Sequence, residues 1–398
     1  MAAKKKTKKK TTPSKGDPID AAANAHDILQ ATLQELRDTI PDFRGGFGNE
    51  PEVQKMMEIP FFKTPIAALN RAMGGGIPGG RWTTIFGPEK VGKTSICGQT
   101  IAIDQELHPD GRWAWFDVED TFDERYMCAL GMDMSRLILV PAGQIMEDQQ
   151  DALIKLVRTG FLRGFVIDSV GSYVASQEMV KKKTGALKSM KDDTMVAVPR
   201  KLSEFLRRAT PQFSRHKMAQ ILIGHKYQGI GQFPKMEQKG GNALKHWAGM
   251  RLDIYRSRDD ALKKAVVQPD GQMKECFIGF KSTIRIDKSK VSPTEGQEVE
   301  VPFIHGMGFD SVESTIRTAL ALGVVETRGA YYRHALFPGE KAQVHGKAAT
   351  NQFIRENPSV LSAIADEILA VSDEMFGLKK VGEEVVDAGD SGVLQLPS

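Results

Sequence analysis

Between about Val53 and Gly308, short apolar runs rich in β-branched and aromatic residues alternate with stretches of helical spacing. That rhythm predicts an α/β core, a mainly parallel sheet covered by helices on both faces. Four runs stand out: Trp82–Phe86, Trp113–Val118, Phe165–Asp168 and Gln220–Gly224. Each passes directly into polar or glycine-rich residues, which places those residues at the carboxyl edge of the sheet, where ligands bind in such folds. Ahead of the core, Asp17 and Pro18 read as N-cap and first helical position, and Ile28, Leu29, Leu33, Leu36 and Ile40 recur at helical spacing up to Pro41. A single apolar stripe needs a single partner surface, either this chain's own core or that of a neighbouring subunit. Beyond Asp310 the pattern turns helical over Val312–Leu322, Lys347–Glu356 and Pro358–Val371, the last begun by Asn357 and Pro358. The organisation read from these shifts is a tail over 1–17, a helix and linker over 18–52, a core over 53–310, a small C-terminal α/β lobe over 311–372 and an acidic tail over 373–398.

Composition narrows the class. With 398 residues, 41% hydrophobic, the chain can bury one large core and a satellite lobe. No apolar run approaches the roughly eighteen residues of a membrane span, and the N-terminus has no apolar signal core, so the expected location is the cytoplasm. Cys97, Cys128 and Cys276 are odd in number and lack partners at metal-ligand spacing, which argues against disulfides and zinc. Met1 to Asp17 carries seven lysines against one aspartate; that stretch more than accounts for the formal net charge of +4, and the remainder is slightly acidic. The lysine block cannot pack a core and reads as unstructured, either a solvated tail or, the favoured reading, an arm that raises affinity for nucleic acid at low salt. Any nucleic-acid site in the body must therefore be a local loop or groove.

The string Gly87-Pro88-Glu89-Lys90-Val91-Gly92-Lys93-Thr94 fits G-x-x-x-x-G-K-[ST], follows a β-like run and opens a helical stretch, and Ser95 directly after it is a further candidate for nucleotide binding. Its glycines let backbone N–H groups wrap phosphates at a helix N-terminus, Lys93 reaches the β and γ phosphates, and the Thr94 hydroxyl ligates Mg²⁺. Such a loop needs a second carboxylate on an adjacent strand, and Gly164-Phe165-Val166-Ile167-Asp168 offers Asp168. Hydrolysis also needs a base near the attacking water, and the run ending in Asp117-Val118-Glu119-Asp120 presents three carboxylates between which spacing does not choose.

Further strings are Val166–Val170, Gly240-Gly241-Asn242-Ala243-Leu244-Lys245 with Arg251-Leu252-Asp253-Ile254, Lys288-Ser289-Lys290, and Gly329-Ala330-Tyr331-Tyr332 followed by Gly339-Glu340-Lys341. Together with Gly87–Thr94 and Asp117–Asp123 they resemble the bacterial RecA recombinases and their bacteriophage relatives of the UvsX type, over about Val53 to Ala370. The resemblance implies a RecA-type P-loop ATPase fold using ATP and Mg²⁺. It puts the water-positioning glutamate on Glu119 and adenine-side contacts on Asp123 and Tyr126. His305 takes the place of a residue packing on the far side of the base. At the end of the strand leading into the second DNA loop the family carries an amide that senses γ-phosphate; this chain has His225, as UvsX-like proteins do.

The same resemblance implies two DNA-binding loops, here Glu178–Thr194 and Lys226–Lys239. The first holds Lys181, Lys182 and Lys183; the second interleaves Tyr227 and Phe233 with Lys226, Lys235 and Lys239 and leads into Gly240, Gly241 and Asn242. Lysines neutralise phosphate without regard to sequence, and aromatic rings stack on bases, a pairing suited to single strands. Arg200 and Arg207, seven apart on a predicted helix, match family arginines that support DNA binding. Lys288 and Lys290, two apart in a β-like run, point the same way and match lysines that cross to the ATP of the adjacent subunit, as arginine fingers do. The implied partners are single-stranded DNA, homologous duplex, further copies of the chain in a helical filament, and loader or single-strand-binding proteins. Two rivals from other classes are a hexameric DNA helicase, which shares the P-loop core, and a non-catalytic ATP-gated adaptor.

Overall fold

The computed structural model describes residues 18–143, 145–176, 197–228, 236–238, 242–267 and 273–375. The chain divides after Glu58 into two compact units. In the first, α1 (Pro18–Thr39) begins at the expected proline and α2 (Pro51–Met57) follows a short turn. Arg37 bridges to Glu50 at 2.6 Å and to the Gly45 carbonyl at 3.2 Å, while His26 stacks on Phe47. On the α1 stripe Leu33 and Leu36 are half-buried, whereas Ile28 and Leu29 are exposed.

The second unit opens with β1 (Phe61–Phe62), α3 (Ala67–Ala72) and β2 (Ile77–Pro78). The four apolar runs then appear as β3 (Trp82–Gly87), β4 (Arg112–Asp117), β6 (Leu162–Asp168) and β7 (Ala219–Gln228). Between them lie α4 (Lys93–Leu107), α5 (Glu124–Ala129), β5 (Leu137–Val140), α6 (Met146–Arg158) and α7 (Ala197–Arg215). The strands pair in parallel in the order β3-β7-β6-β4-β5. After β8 (Met236–Gln238) and α8 (Asn242–Trp247), β9 (Met250–Val267) joins β3 in parallel. It then pairs antiparallel with β10 (Met273–Ser289), and β11 (Glu298–Ile304) and β12 (Gly308–Phe309) complete that edge.

Burial on both faces explains the nearly continuous apolar strands. Every residue of β3 is buried. One face packs Ile85, Val166, Ile221 and Ile223 against Ile96, Cys97 and Ile101 of α4. The other packs Trp82, Phe165 and Leu222 against Leu202, Phe205, Leu206, Ala209 and Phe213, which form one stripe of α7.

The expectation that the second carboxylate sits on a strand adjacent to the P-loop strand is corrected: β7 lies between β3 and β6. Helix α4 packs across β7, and its first turn reaches over that strand to Asp168.

At the C-terminal end, Asp310 caps α9 (Ser311–Leu322) by accepting from the Glu313 amide, and Gly323 ends it at φ 74°. A three-stranded antiparallel sheet, β13 (Glu326–Arg328), β14 (Tyr331–Arg333) and β15 (Gln343–His345), precedes α10 (Lys347–Glu356) and α11 (Pro358–Met375). Their cluster of Ile316, Ala319, Phe337, Ile354, Ile364 and Ile368 includes Ala67, so this lobe is built around α3. No described helix is long and apolar enough to cross a membrane.

Candidate active site

The turn between β3 and α4 carries the phosphate-loop geometry. A Cβ on Gly87 would lie 2.0 Å from the Ile254 carbonyl oxygen, and Gly92, at φ 100°, packs where a Cβ would meet the Phe309 ring. Only glycine fits either position without displacement. Pro88, Glu89 and Lys90 are exposed on the loop, Lys90 in the left-handed region, and Val91 anchors it in the core. Lys93 is buried and donates to the Pro88 carbonyl at 2.5 Å. Burial lowers its ammonium pKa, against the pull of Asp168, Glu119 and Glu89.

Thr94 Oγ1 donates to Asp168 Oδ2 at 2.9 Å. Burial pushes the Asp168 carboxyl up to about 6, the Thr94 hydrogen bond opposing and the Glu119 charge adding to the rise. A hydroxyl beside a carboxylate oxygen is a donor pair for a small hard cation such as Mg²⁺, which takes its remaining ligands from phosphate and water. No group of three or more His, Cys, Asp or Glu side chains able to hold a metal occurs among the described residues.

The three carboxylates at the end of β4 differ in their surroundings. Asp117 is buried and accepts from the amides of Thr121 and Phe122, so it holds the turn. Asp120 is exposed with φ 56°. Glu119 faces the end of β7: its Oε1 accepts from the Ser169 hydroxyl, from Ser172 Oγ at 2.9 Å, and lies 2.9 Å from His225 Nε2. Burial by itself would raise this carboxyl, but Ser169, Ser172 and His225 together outweigh it and hold it below its ordinary range. His225 in turn pairs with Gly87 across the β3–β7 ladder, next to the start of the phosphate loop.

Other expected site residues fall at different distances from this centre. Asp123 caps α5 by accepting from the Tyr126 amide, and the Tyr126 hydroxyl shares a 2.8 Å hydrogen bond with Ser95. His305 is exposed beside Phe280 and Phe303. Lys288 donates to the carbonyls of Lys245 and His246 at the end of α8. A bulge between Ile286 and Lys288 interrupts strict alternation there, and exposed Lys290 follows the last residue of β10.

On the DNA side, Arg200 and Arg207 are exposed on α7. Lys181, Lys182, Lys183, Phe233, Lys235, Lys239, Gly240 and Gly241 lie outside the described residues, as does the lysine-rich arm. The arms of the second loop pair as a hairpin, Lys226 with Gln238, Tyr227 with Glu237 and Gln228 with Met236, while Asn242 begins α8. Lys226 itself is turned inward, its ammonium 2.5 Å from Asp253 Oδ2.

Sequence reasoning missed Ser169 and Ser172, whereas Ser95, expected beside the nucleotide, shares its hydrogen bond with Tyr126. A hydroxyl next to a candidate metal carboxylate is the one available signal, and it points only to Ser169.

The RecA N-terminal domain family model matches residues 42–310. Protein RecA of Ruegeria pomeroyi is 30% identical over 344 residues, covering 86% of this chain and 91% of that protein. Protein RecA of Thermus aquaticus is 30% identical over 331 residues, covering 82% and 89%. Protein RecA of Laribacter hongkongensis is 32% identical over 323 residues, covering 80% and 83%.

Proposed function

The chain belongs to the RecA family, and on that premise we propose that it polymerises on single-stranded DNA as an ATP-dependent recombinase and exchanges that strand with a homologous duplex. The observation that carries this reading is the 2.9 Å contact between His225 and Glu119, made where β7 leaves the sheet for the second loop. A base for water activation is thereby tied to a segment whose composition suits single-stranded DNA.

Lys93, released from the Pro88 carbonyl, takes the β and γ phosphates, and the Gly87–Gly92 backbone cradles them at the N-terminus of α4. Thr94 and Asp168 would hold Mg²⁺, which when bound neutralises charge on the phosphates. Glu119, kept ionised by its three partners, orients the attacking water and accepts its proton. Lys288 and Lys290 act on the nucleotide of the neighbouring subunit, so hydrolysis depends on assembly. Arg200, Arg207 and the loop lysines other than Lys226 hold the DNA backbone. The place of work is the cytoplasm, that of a host cell if the chain is phage-encoded, and His225 favours that branch.

The test is ATP hydrolysis with and without single-stranded DNA for the wild type and Glu119→Gln, with electron microscopy of the same mixtures. The expected result is strong stimulation and helical filaments for the wild type. Glu119→Gln should form the same filaments and hydrolyse at least about 100-fold more slowly, the usual contribution of a positioned base. Closed rings or DNA-independent turnover would overturn the reading.

A further inference from the structure

Lys226 opens the second loop in sequence, yet its side chain belongs to an ionic network behind the phosphate loop. Its ammonium meets Asp253 Oδ2 at 2.5 Å, and the Arg285 guanidinium reaches the same oxygen at 3.4 Å. Arg285 also pairs with Asp287 at 3.2 Å, and Asp287 with Arg251 at 3.0 Å. Lys226 and Arg251 both lie over the Phe86 ring, at 5.1 and 4.7 Å. Phe86 immediately precedes Gly87 and pairs with Asp253 across the β3–β9 ladder. One network thus joins the root of the β7–β8 hairpin, the root of the phosphate loop, and the segment of β10 that runs on to Lys288 and Lys290.

The network is only partly satisfied. Asp253 is 4% exposed on its side chain, and while Oδ2 serves two cations, Oδ1 makes no hydrogen bond among the described residues; Arg285 Nε is likewise buried without a partner. Movement of the β7–β8 hairpin is delivered to Lys226 first, because Lys226 is the first residue of β7 that pairs with β8.

We propose that Lys226 and Asp253 form a positioning latch, through which the state of the second loop is transmitted to the phosphate loop and to the strand presenting Lys288 and Lys290. The inference rests on the recombinase reading and assigns Lys226 a role distinct from phosphate contact. Lys226 acts through Asp253, so both partners are needed for coupling, and neither contributes to the salt dependence of DNA binding.

The experiment compares wild type, Lys226→Met, Lys226→Arg, Asp253→Asn and the paired Lys226→Met/Asp253→Asn protein. Two quantities are read: the ratio of ATP hydrolysis with and without saturating single-stranded oligonucleotide, and the slope of log affinity against log salt for that oligonucleotide. Lys226→Met and Asp253→Asn should each cut the ratio about fivefold or more, the lower end of ordinary coupling between sites. The paired protein, which leaves no stranded charge and guards against misfolding of the single variants, should lose no more than either. Lys226→Arg should retain coupling, and all the salt slopes should match the wild type. A slope reduced by about one in Lys226→Met, with normal stimulation in Asp253→Asn, would make Lys226 a phosphate contact and overturn the latch. Unimpaired stimulation in the paired protein would overturn it as well. A wild type that single-stranded DNA fails to stimulate would remove the recombinase reading itself, and the latch with it.

Discussion

The carboxyl of Asp168 titrates near 6 because burial opposes its charge and Glu119 adds to the effect, with Thr94 only partly compensating. The unfolded chain releases that proton near the ordinary aspartate value of 3.8. Between these two values the folded protein holds a proton that the unfolded chain has lost, so the stability contributed by Asp168 falls as pH rises through the window. Above pH 6 the penalty is complete, on the order of 3 kcal/mol. Asp168→Asn in the nucleotide-free protein should therefore melt higher than the wild type at pH 8, and the gap should close toward pH 4. A gap independent of pH would mean that Asp168 does not titrate in that window. The neighbouring choice among Asp117, Glu119 and Asp120 was not legible from spacing. It depends on which carboxylate meets Ser169, Ser172 and His225, and those partners come from the turn after β6 and from β7.

Helix α7 shows how an element carries a site without touching its chemistry. The helix was expected from the sequence, but what its apolar stripe packs on was not: Phe213 packs against Trp82, Phe165 and Phe205, with ring centroids 5.6 to 6.1 Å apart. Trp82 also donates to Thr210 at 2.7 Å, one residue before Pro211, where the helix lacks an amide donor. Phe213→Ala should cost about 3–5 kcal/mol, as large aromatic truncations in cores do, read as a lower urea midpoint. An unchanged midpoint would mean that α7 is held by other contacts. The four central strands were legible because burial on both faces makes them apolar throughout. The extended β9–β10 hairpin was not: its described outer residues, among them Met273 and Phe277, are exposed, so no burial pattern marks them.

At the scale of the whole molecule, the proposed trans action of Lys290 gives a mixing test. Glu119→Gln and Lys290→Ala proteins should each hydrolyse ATP poorly when alone. In a mixed filament a Lys290→Ala subunit supplies an intact Glu119 and a Glu119→Gln neighbour an intact Lys290, so an equimolar mixture should recover roughly a quarter of wild-type activity, as a head-to-tail interface requires. No recovery would place both residues in one subunit's site or exclude mixed assembly.

What the sequence determined by itself is what depends on near neighbours along the chain. The glycine spacing of the phosphate loop, the proline starts of α1 and α11 and the alternation of strands with helices all follow from local sterics and hydrogen bonding. The tertiary structure decided what depends on distant residues meeting. Glu119 became the candidate base through partners 50, 53 and 106 residues away. Asp168 reached Thr94 across an intervening strand, and Lys226, at the root of the second loop, met Asp253. A side chain's chemistry is set by the dielectric and the donors around it, and in this fold those come from strands far apart in sequence.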